Sequence, residues 1–147
     1  MLIQLQPEQV TAFWPAIKQM AIRTGRITEN ETTQTRVTNI LSSILSAELQ
    51  CWIIYEGELE SRVFHAIALT SIHFDTISEE RTCVIDQLYA MRPLSPEIAQ
   101  NAADGIVAYA RQNECTAVVA HTNNARAISL LESHGFVKEK SIYILEV

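Results

Sequence analysis

The sequence predicts an α/β domain built on a mixed sheet, with residues 1–147 forming one unit. The first observation is a pair of amphipathic helices after a short opening strand, each with apolar residues at i, i+3, i+4 and i+7. The second is a change to strand period in the middle of the chain. The third is a crossover helix that leads into the apolar run Thr116–Ala120. Because such a crossover joins parallel neighbours, the sheet should contain both parallel and antiparallel pairs.

The N-terminal third of the chain is predicted to form one strand and two helices. A short strand occupies Leu2–Leu5, and Pro7 then suits the first turn of a helix, where its missing N–H breaks no hydrogen bond. That helix should end at Thr24–Gly25. A second helix is predicted over Asn30–Leu49, with Thr, Ser and Asn residues opposite its apolar stripe.

Three strands with short links follow. They are predicted over Gln50–Tyr55, Arg62–Phe74 and Thr82–Ala90, separated by a turn at Glu56–Glu58 and a polar connection at Asp75–Arg81. Consecutive strands joined by such short links pair antiparallel, so this part of the sheet should be a meander.

The C-terminal part alternates helices and strands. Ser95 is a good N-cap and Pro96 a good first residue for a helix that runs to Asn113, and another helix is predicted over Asn124–Ser133. Two short strands, Phe136–Lys138 and Ser141–Val147, complete the order β-α-α-β-β-β-α-β-α-β-β. The predicted core includes Phe13, Trp14, Ile17, Leu41, Ile44, Ile53, Val118, Val119, Ile128 and Phe136.

Charge and hydropathy exclude several classes of protein. The net charge is −6 and the pI about 5.2, so the surface repels a phosphate backbone and no nucleic-acid partner is expected. The apolar stretches are far shorter than the roughly 18 residues of a membrane span. The N-terminus lacks a basic region followed by an apolar block, so no signal peptide is expected.

The cysteines and histidines show no catalytic or metal-binding spacing. Cys51, Cys83 and Cys115 lie far apart beside β-type apolar residues, so buried free thiols in a reducing compartment, the cytoplasm, are expected. A catalytic cysteine is the alternative, but no paired histidine motif accompanies any of them. His65 and His73, eight residues apart on one face of the long strand, are too distant to share a metal and are expected at the surface or rim.

One segment and the element order together resemble a known family. Asn124–Phe136 is similar to the N-x-x-A-x-x-x-Y-x-x-x-G-F segment of the GNAT acyltransferase superfamily, and the order of helices and strands matches that family over essentially the whole chain. Asn124 can start the helix, Ala127 allows close packing on the sheet, and Gly135 suits a left-handed end. The resemblance implies a GNAT-like fold, with Phe136 entering the core.

The sequence departs from the family pattern at two chemically important places. The family holds the pyrophosphate of acyl-CoA with an R/Q-x-x-G-x-G/A loop, whose backbone N–H groups face the anion. The corresponding stretch here, Ala90–Gln100, has no glycine, and Pro96 removes one N–H donor. Ser95 is expected to cap the helix, and Glu97 brings a negative charge. Leu131 replaces the tyrosine that protonates the leaving thiolate in many members, and leucine cannot act as an acid.

The resemblance still assigns candidate residues in case the chain is an enzyme. Asp86 lies on the strand that often carries a general base; an outward-facing strand residue is the alternative, because the alternation around it is irregular. His121 follows the apolar strand, where GNAT sites open, and is either a base or simply a strand-end residue. Tyr143 on the last strand is either an acid or a packing residue. The candidate catalytic residues are thus Asp86, His121 and Tyr143, and the candidate acyl-CoA contacts are Leu88, Ala90, Arg92 and Asn124.

Two functions follow from this pattern. The first is a non-catalytic module without a cofactor, because two independent chemical requirements fail together. Such a module would act as a homo-oligomer or with protein partners, and the sequence resembles the acetyltransferase-like virion proteins of short-tailed phages, which implies assembly into a phage particle. The alternative is an N-acetyltransferase that uses acetyl-CoA and acts on an amine. In the first case acetyl-CoA should bind weakly or not at all.

Overall fold

A computed structural model describes residues 1–23, 32–58, 61–122, 124–140 and 143–145. In chain order its elements are β1 (Leu2–Gln4), a 3₁₀ turn (Pro7–Gln9), α1 (Val10–Arg23), α2 (Thr33–Leu45), β2 (Gln50–Glu56), β3 (Val63–Asp75), β4 (Glu80–Ala90), α3 (Pro96–Gln112), β5 (Cys115–Ala120) and α4 (Ala125–Ser133). The predicted α/β class and the predicted order up to α4 are confirmed.

The strands form one mixed sheet in the order β1-β2-β3-β4-β5. The first three pairings are antiparallel and the last, between β4 and β5, is parallel, as the crossover helix predicted. The parallel pairing runs from Arg81↔Cys115 to Ile85↔Ala120. Because β4 continues to Ala90, its last five residues extend beyond β5.

Helices cover both faces of the antiparallel part of the sheet. On one face α1 and α2 bury Ile17 and Ile44 against Ile53 of β2 and Leu69 of β3. On the other face α3 packs its apolar stripe on the ends of β2, β3 and β4. This helix comes so close to β1 that a side chain at Gly105 would place its Cβ 2.7 Å from Leu2 Cδ2. The core therefore lies on both sides of β2 and β3.

Side-chain caps fix where the helices start. Thr32 caps α2, Ser95 caps α3 and Asn124 caps α4, each by accepting backbone N–H groups of the first turn. The last two were predicted. The predicted end of the first helix at Thr24–Gly25 and the predicted start of the second at Asn30 lie outside the described residues.

Three chain reversals use non-glycine residues with positive φ. The second helix ends at Leu45, four residues before its predicted end at Leu49, and Ala47 with φ 62° leads into β2. Glu79 with φ 58° lies in the link between β3 and β4, and Glu114 with φ 58° lies between α3 and β5. Left-handed backbone is unfavourable for residues with a Cβ, so these turns hold local strain.

The predicted core is confirmed in its N-terminal part and at Val118. Ile17, Ile44 and Ile53 are buried, and Phe13, Trp14 and Leu41 pack half-buried against them. Val118 likewise packs half-buried against the buried residues of α3. In contrast, Val119 and Phe136 are half-buried and in neither cluster, and Ile128 is exposed. The reason is that β5 is the last strand of the described sheet, so its outer side lacks the cover that a central strand receives.

The two predicted final strands are not found among the described residues that follow α4. Phe136–Lys138 has no strand structure, and of Ser141–Val147 only residues 143–145 are described, which form no strand either. Val137 and Leu145 are both 86% exposed. A strand requires a ladder of hydrogen bonds with a neighbour, and within the described residues β5 pairs only with β4. The prediction from β-type composition was therefore wrong for Phe136–Lys138.

Candidate functional site

A β-bulge in β4 is the main irregularity of the sheet near the open end of β5. Thr70 pairs with Ile85 and the preceding Leu69 pairs with Gln87, so Asp86 is an extra residue on β4. The bulge changes the phase of the strand: Ile85 packs in the cluster with α3, whereas Tyr89 packs against the cluster with α1 and α2. Since residues four apart normally share a face, the bulge explains the irregular alternation around Asp86.

Asp86 is the acceptor at one end of a three-residue hydrogen-bond chain. Ser71 Oγ donates to Asp86 Oδ2 at 2.6 Å, and His73 Nε2 lies 2.9 Å from Ser71 Oγ. A serine hydroxyl has a single hydrogen, so while it is donated to Asp86 the His73 Nε2–H must be the donor to Ser71. Ser71 is buried, whereas Asp86 and His73 are exposed. The hydrogen-bond chain therefore connects an exposed imidazole, through a buried hydroxyl, to an exposed carboxylate.

This order of groups suits base catalysis by the carboxylate and not nucleophilic catalysis by the serine. In a serine hydrolase the imidazole lies between the hydroxyl and the carboxylate and takes the proton from the hydroxyl. Here Ser71 lies in the middle and gives its hydrogen to Asp86. Asp86 was predicted from the sequence, whereas Ser71 was not. The signal that could have found it is the spacing of Ser71 and His73, two apart on one face of the strand that neighbours Asp86.

The other two candidate catalytic residues differ in position. His121 is the first residue beyond β5, and Asp86 is the first residue beyond the last β4–β5 pair, Ile85↔Ala120, so the register brings both to the same end of that pairing. Tyr143 is 93% exposed and lies in no strand. Leu131 lies half-buried in α4. Among the predicted catalytic residues, Asp86 and His121 thus follow the same end of the β4–β5 pairing.

The start of α3 uses its own groups to satisfy the backbone donors. Ser95 Oγ accepts a hydrogen bond from Ile98 N at 3.3 Å, Pro96 at the first position of the helix has no N–H, and Glu97 lies in the first turn. Just before it, Met91 N and Arg92 N both donate to His65 O, at 2.8 and 3.2 Å. Much of the donor set that would face a phosphate group is therefore already engaged within the chain.

The predicted acyl-CoA contacts fall into two groups. Leu88 and Ala90 are exposed on the part of β4 that extends beyond β5, and the Arg92 side chain is exposed next to it. Asn124, by contrast, is the cap of α4, because its Oδ1 accepts from Arg126 N and Ala127 N at 3.0 and 3.1 Å. The first group can contact a ligand laid along β4, whereas the Asn124 side chain has a structural task.

His65 does not lie at the rim, as was predicted, but is buried. Its Nε2 lies 3.3 Å from Glu56 Oε2, and its ring is one-tenth exposed. A bulge in the β2–β3 pairing, where Ile54 pairs with Ala66 and Tyr55 with Phe64, leaves His65 as an extra residue and accounts for the error. No cluster of three potential metal ligands occurs in the described part of the chain.

Burial raises the pKa of all three thiols. Burial raises the pKa of Cys51 to about 12 and that of Cys83 to about 11. Cys115 is half-buried at the start of β5. All three thiols are free, as predicted, and the raised pKa values disfavour the thiolate that a catalytic cysteine would need.

Comparison with known proteins gives structural matches alone. No family model and no curated protein matches the sequence. A probable acetyltransferase superposes with a TM-score of 0.77 at 14% identity, covering 100% of this chain and 97% of that one. A predicted acetyltransferase with acetyl-CoA from Clostridium acetobutylicum gives 0.71 at 14%, covering 99% and 95%. A ribosomal-protein-alanine N-acetyltransferase from Brucella melitensis biovar Abortus 2308 gives 0.70 at 11%, covering 100% and 99%.

These matches concern architecture, because identities this low establish the fold and not the activity. They span nearly the full length of both partners in each comparison. None of the described helices has the length and hydropathy needed to cross a membrane. The chain has the fold of the GNAT acetyltransferases.

Proposed function

We propose that this chain is an acyl-CoA-dependent N-acyltransferase in which Asp86 is the general base for an amine acceptor. The observation that carries the proposal is the position of Asp86: an exposed carboxylate on a β-bulge, directly beyond the last residue pair of the parallel strands. A base must be accessible to the proton that it abstracts and held in place by its neighbours. Ser71 supplies that support through its 2.6 Å hydrogen bond.

The part of β4 beyond β5 is the proposed contact surface for the acyl donor. Asp86–Ala90 has no β5 neighbour, so its backbone groups on that side can pair with the amide groups of an extended pantetheine arm. Arg92 is the nearest exposed cation in sequence and would meet the phosphate end. A thioester bound there supplies an activated acyl group. The structures of similar fold include one of a protein with acetyl-CoA, which supports the choice of donor.

The start of α3 fits this donor poorly, and the proposal includes that disagreement. Ser95, Pro96 and Glu97 reduce the N–H donors and add a negative charge where GNAT enzymes bind pyrophosphate. Binding of the pyrophosphate should therefore depend on the Arg92 side chain instead of on the backbone amides at the start of α3. The affinity for acetyl-CoA is expected to be weak for an enzyme of this fold.

Asp86 has a defined role in the reaction. Its carboxylate takes a proton from the acceptor ammonium, which frees the nitrogen lone pair to form the C–N bond with the acyl carbon. As the C–S bond breaks, the nitrogen loses its second proton to water and the amide is formed. The leaving thiolate takes its proton from water, because Leu131 supplies none. Asp86 returns to the carboxylate by losing its proton to solvent, since its side chain is exposed.

A second function is favoured by the capped start of α3. If the losses at Ser95, Pro96 and Glu97 abolish donor binding, the chain is a non-catalytic module that works as a homo-oligomer or as a component of a larger assembly such as a phage particle. The polar side of α2, rich in Ser and Thr and poor in charge, would be cheap to bury against a partner. Light scattering on the purified chain and recovery of a stoichiometric partner from its source test this function.

Calorimetric titration with acetyl-CoA, followed by an acetylation assay with a panel of amines, decides between the two. For the enzyme, Asp86→Asn should lower the acetylation rate by roughly a hundredfold or more while acetyl-CoA binding stays unchanged. Asp75→Asn is the matched control, because Asp75 is an exposed carboxylate at the far end of the same strand pair. No acetyl-CoA binding by the unaltered chain would refute the proposal and leave the non-catalytic function.

Charge at the start of α3 offers a second measurement. Glu97→Gln removes the carboxylate from the first turn and should tighten acetyl-CoA binding by roughly two- to fivefold, from the ~0.3–1 kcal/mol that a charge contributes at a helix end. Asp104→Asn, two turns along the same helix, removes an equal charge farther away and should leave the affinity unchanged. Arg92→Gln should weaken binding. If neither Glu97→Gln nor Arg92→Gln alters the affinity, the donor does not bind at this end of β4.

A further inference from the structure

We propose that Ser71 and His73 are positioning residues that fix the direction of the Asp86 carboxylate toward the acceptor. This inference rests on the proposed acyl transfer and concerns the same site. Ser71 and His73 lie on β3 and act on the reaction only through Asp86.

The hydrogen bonds in this chain have one direction. His73 Nε2–H occupies a lone pair of Ser71 Oγ, which leaves the single hydroxyl hydrogen for Asp86 Oδ2. With Oδ2 engaged in a short charge-assisted bond, the other carboxylate oxygen, Oδ1, is the one that takes the proton of the amine. Without this bond an exposed aspartate samples several rotamers. The hydrogen bonds from His73 to Ser71 and from Ser71 to Asp86 therefore select both the rotamer of Asp86 and the carboxylate oxygen that reacts.

The strand pairing holds the two positioning residues firmly. Ser71 pairs with Val84 and His73 with Thr82, on the side of the bulge where β4 is also paired to β5. Asp86 itself lies at the bulge, where the ladder is interrupted and the backbone is less constrained. The hydrogen bond from Ser71, whose backbone is regularly paired with β4, restricts the position of the Asp86 side chain. Cys83 on β4 is close enough to Asp86 for an electrostatic interaction, and His121 follows the last paired residue of β5.

Kinetic variants test the positioning role. Ser71→Ala should lower kcat by roughly ten- to a hundredfold, the range expected when a reacting group loses its orientation, with the KM for acetyl-CoA unchanged. Ser71→Thr keeps the hydroxyl and suits a strand, so it should restore most of the rate. His73→Leu should resemble Ser71→Ala in direction, and His73→Gln, which keeps an N–H donor, should be milder. A Ser71→Thr variant as slow as Ser71→Ala would overturn the proposal.

A second measurement does not depend on acetyl transfer. In the full chain with ¹⁵N-labelled histidine, Asp86→Asn should shift the His73 Nε2 resonance, and the same substitution in a Ser71→Ala background should shift it much less, because the signal passes through the hydroxyl. His134, whose Nδ1 lies 2.7 Å from Leu130 O, is the control and should respond in neither case. Equal shifts in both backgrounds, or none, would overturn the positioning role. If the unaltered protein transfers no acetyl group but the His73 shift still depends on Ser71, the proposed function alone is refuted.

Discussion

Two apolar strands of the sheet, β2 and β5, differ greatly in how far their residues are buried. In β2 the six residues Gln50–Tyr55 are all buried, because α1 and α2 cover one face and α3 the other. β5 is just as apolar, yet Thr116 and Ala117 are exposed and the rest is half-buried. The helix that follows, α4, has no buried residue among those described. An apolar run thus indicates a strand, but its burial is decided by how many layers and neighbours surround it.

The contrast divides the molecule into two regions. We call β1–β4 with α1–α3 the covered region, and β5 with α4 and the residues after it the edge region. Among the described residues, every side chain that is less than 2% exposed lies in the covered region, for example Ile17, Met20, Ile67 and Leu69. Since buried apolar area is the main favourable term in folding, most of the stability should come from the covered region.

Thiol labelling should give the largest difference between the regions. Burial raises the pKa of Cys51 from 9.0 to about 12, so at neutral pH its thiolate population falls about a thousandfold, and the sulfur is also shielded. Cys115, half-buried at the start of β5, should be alkylated first and Cys51 only on unfolding. Mass spectrometry of peptides after timed alkylation measures both rates. Labelling of Cys51 in folded protein as fast as Cys115 would contradict the division.

A matched pair of leucine truncations should give the next largest difference. Leu69→Ala, in the middle of β3 and 1% exposed, should lower the free energy of unfolding by about 3–5 kcal/mol. Leu130→Ala makes the same chemical change at a half-buried position of α4 and should cost less than about 2 kcal/mol. Urea denaturation followed by circular dichroism measures both losses. Equal losses would mean that α4 is packed as tightly as the central strands.

Removal of helix caps should have the smallest effect and still separate the regions. Ser95→Ala and Asn124→Ala each leave N–H groups of a first turn without a side-chain acceptor, which costs about 1 kcal/mol. Because α3 belongs to the covered region, Ser95→Ala should lower the global midpoint. Asn124→Ala should instead speed amide hydrogen exchange within α4 with little change in the midpoint. The opposite pattern would show that α4 unfolds only together with the rest.

Local signals in the sequence predicted most of the fold. The caps at Ser95 and Asn124 and the proline at the start of α3 fixed helix starts that the structure confirms. The crossover between two apolar runs predicted the parallel pair of β4 and β5, which is also confirmed. The caps depend on residues close together in the chain, whereas the crossover depends on the order of the elements, which predicts the direction of the β4–β5 pairing but not its register.

The features that were not predicted depend on pairing between distant residues. The bulge at Asp86 exists because β3 offers one residue where β4 has two, and no short window of sequence contains both strands. The burial of His65 has the same origin in the β2–β3 pairing. The spacing of Ser71 and His73 indicates that they share a face of β3, but the hydrogen bond from Ser71 to Asp86, fifteen positions away, follows only from the register. The sequence therefore predicted Asp86 as a candidate base but not Ser71 and His73, which hold its side chain.

The positive φ values at Ala47, Glu79 and Glu114 offer a route to engineering a more robust scaffold. Each lies at a reversal between elements, away from the bulge, and each places a residue with a Cβ where glycine is the natural choice. Glycine there would relieve local strain but would also loosen the unfolded chain, so asparagine, which tolerates this backbone and keeps a side chain, is the better replacement. A protein with all three asparagine substitutions should have a higher midpoint of thermal unfolding and an unchanged reaction rate, because the reacting groups are untouched.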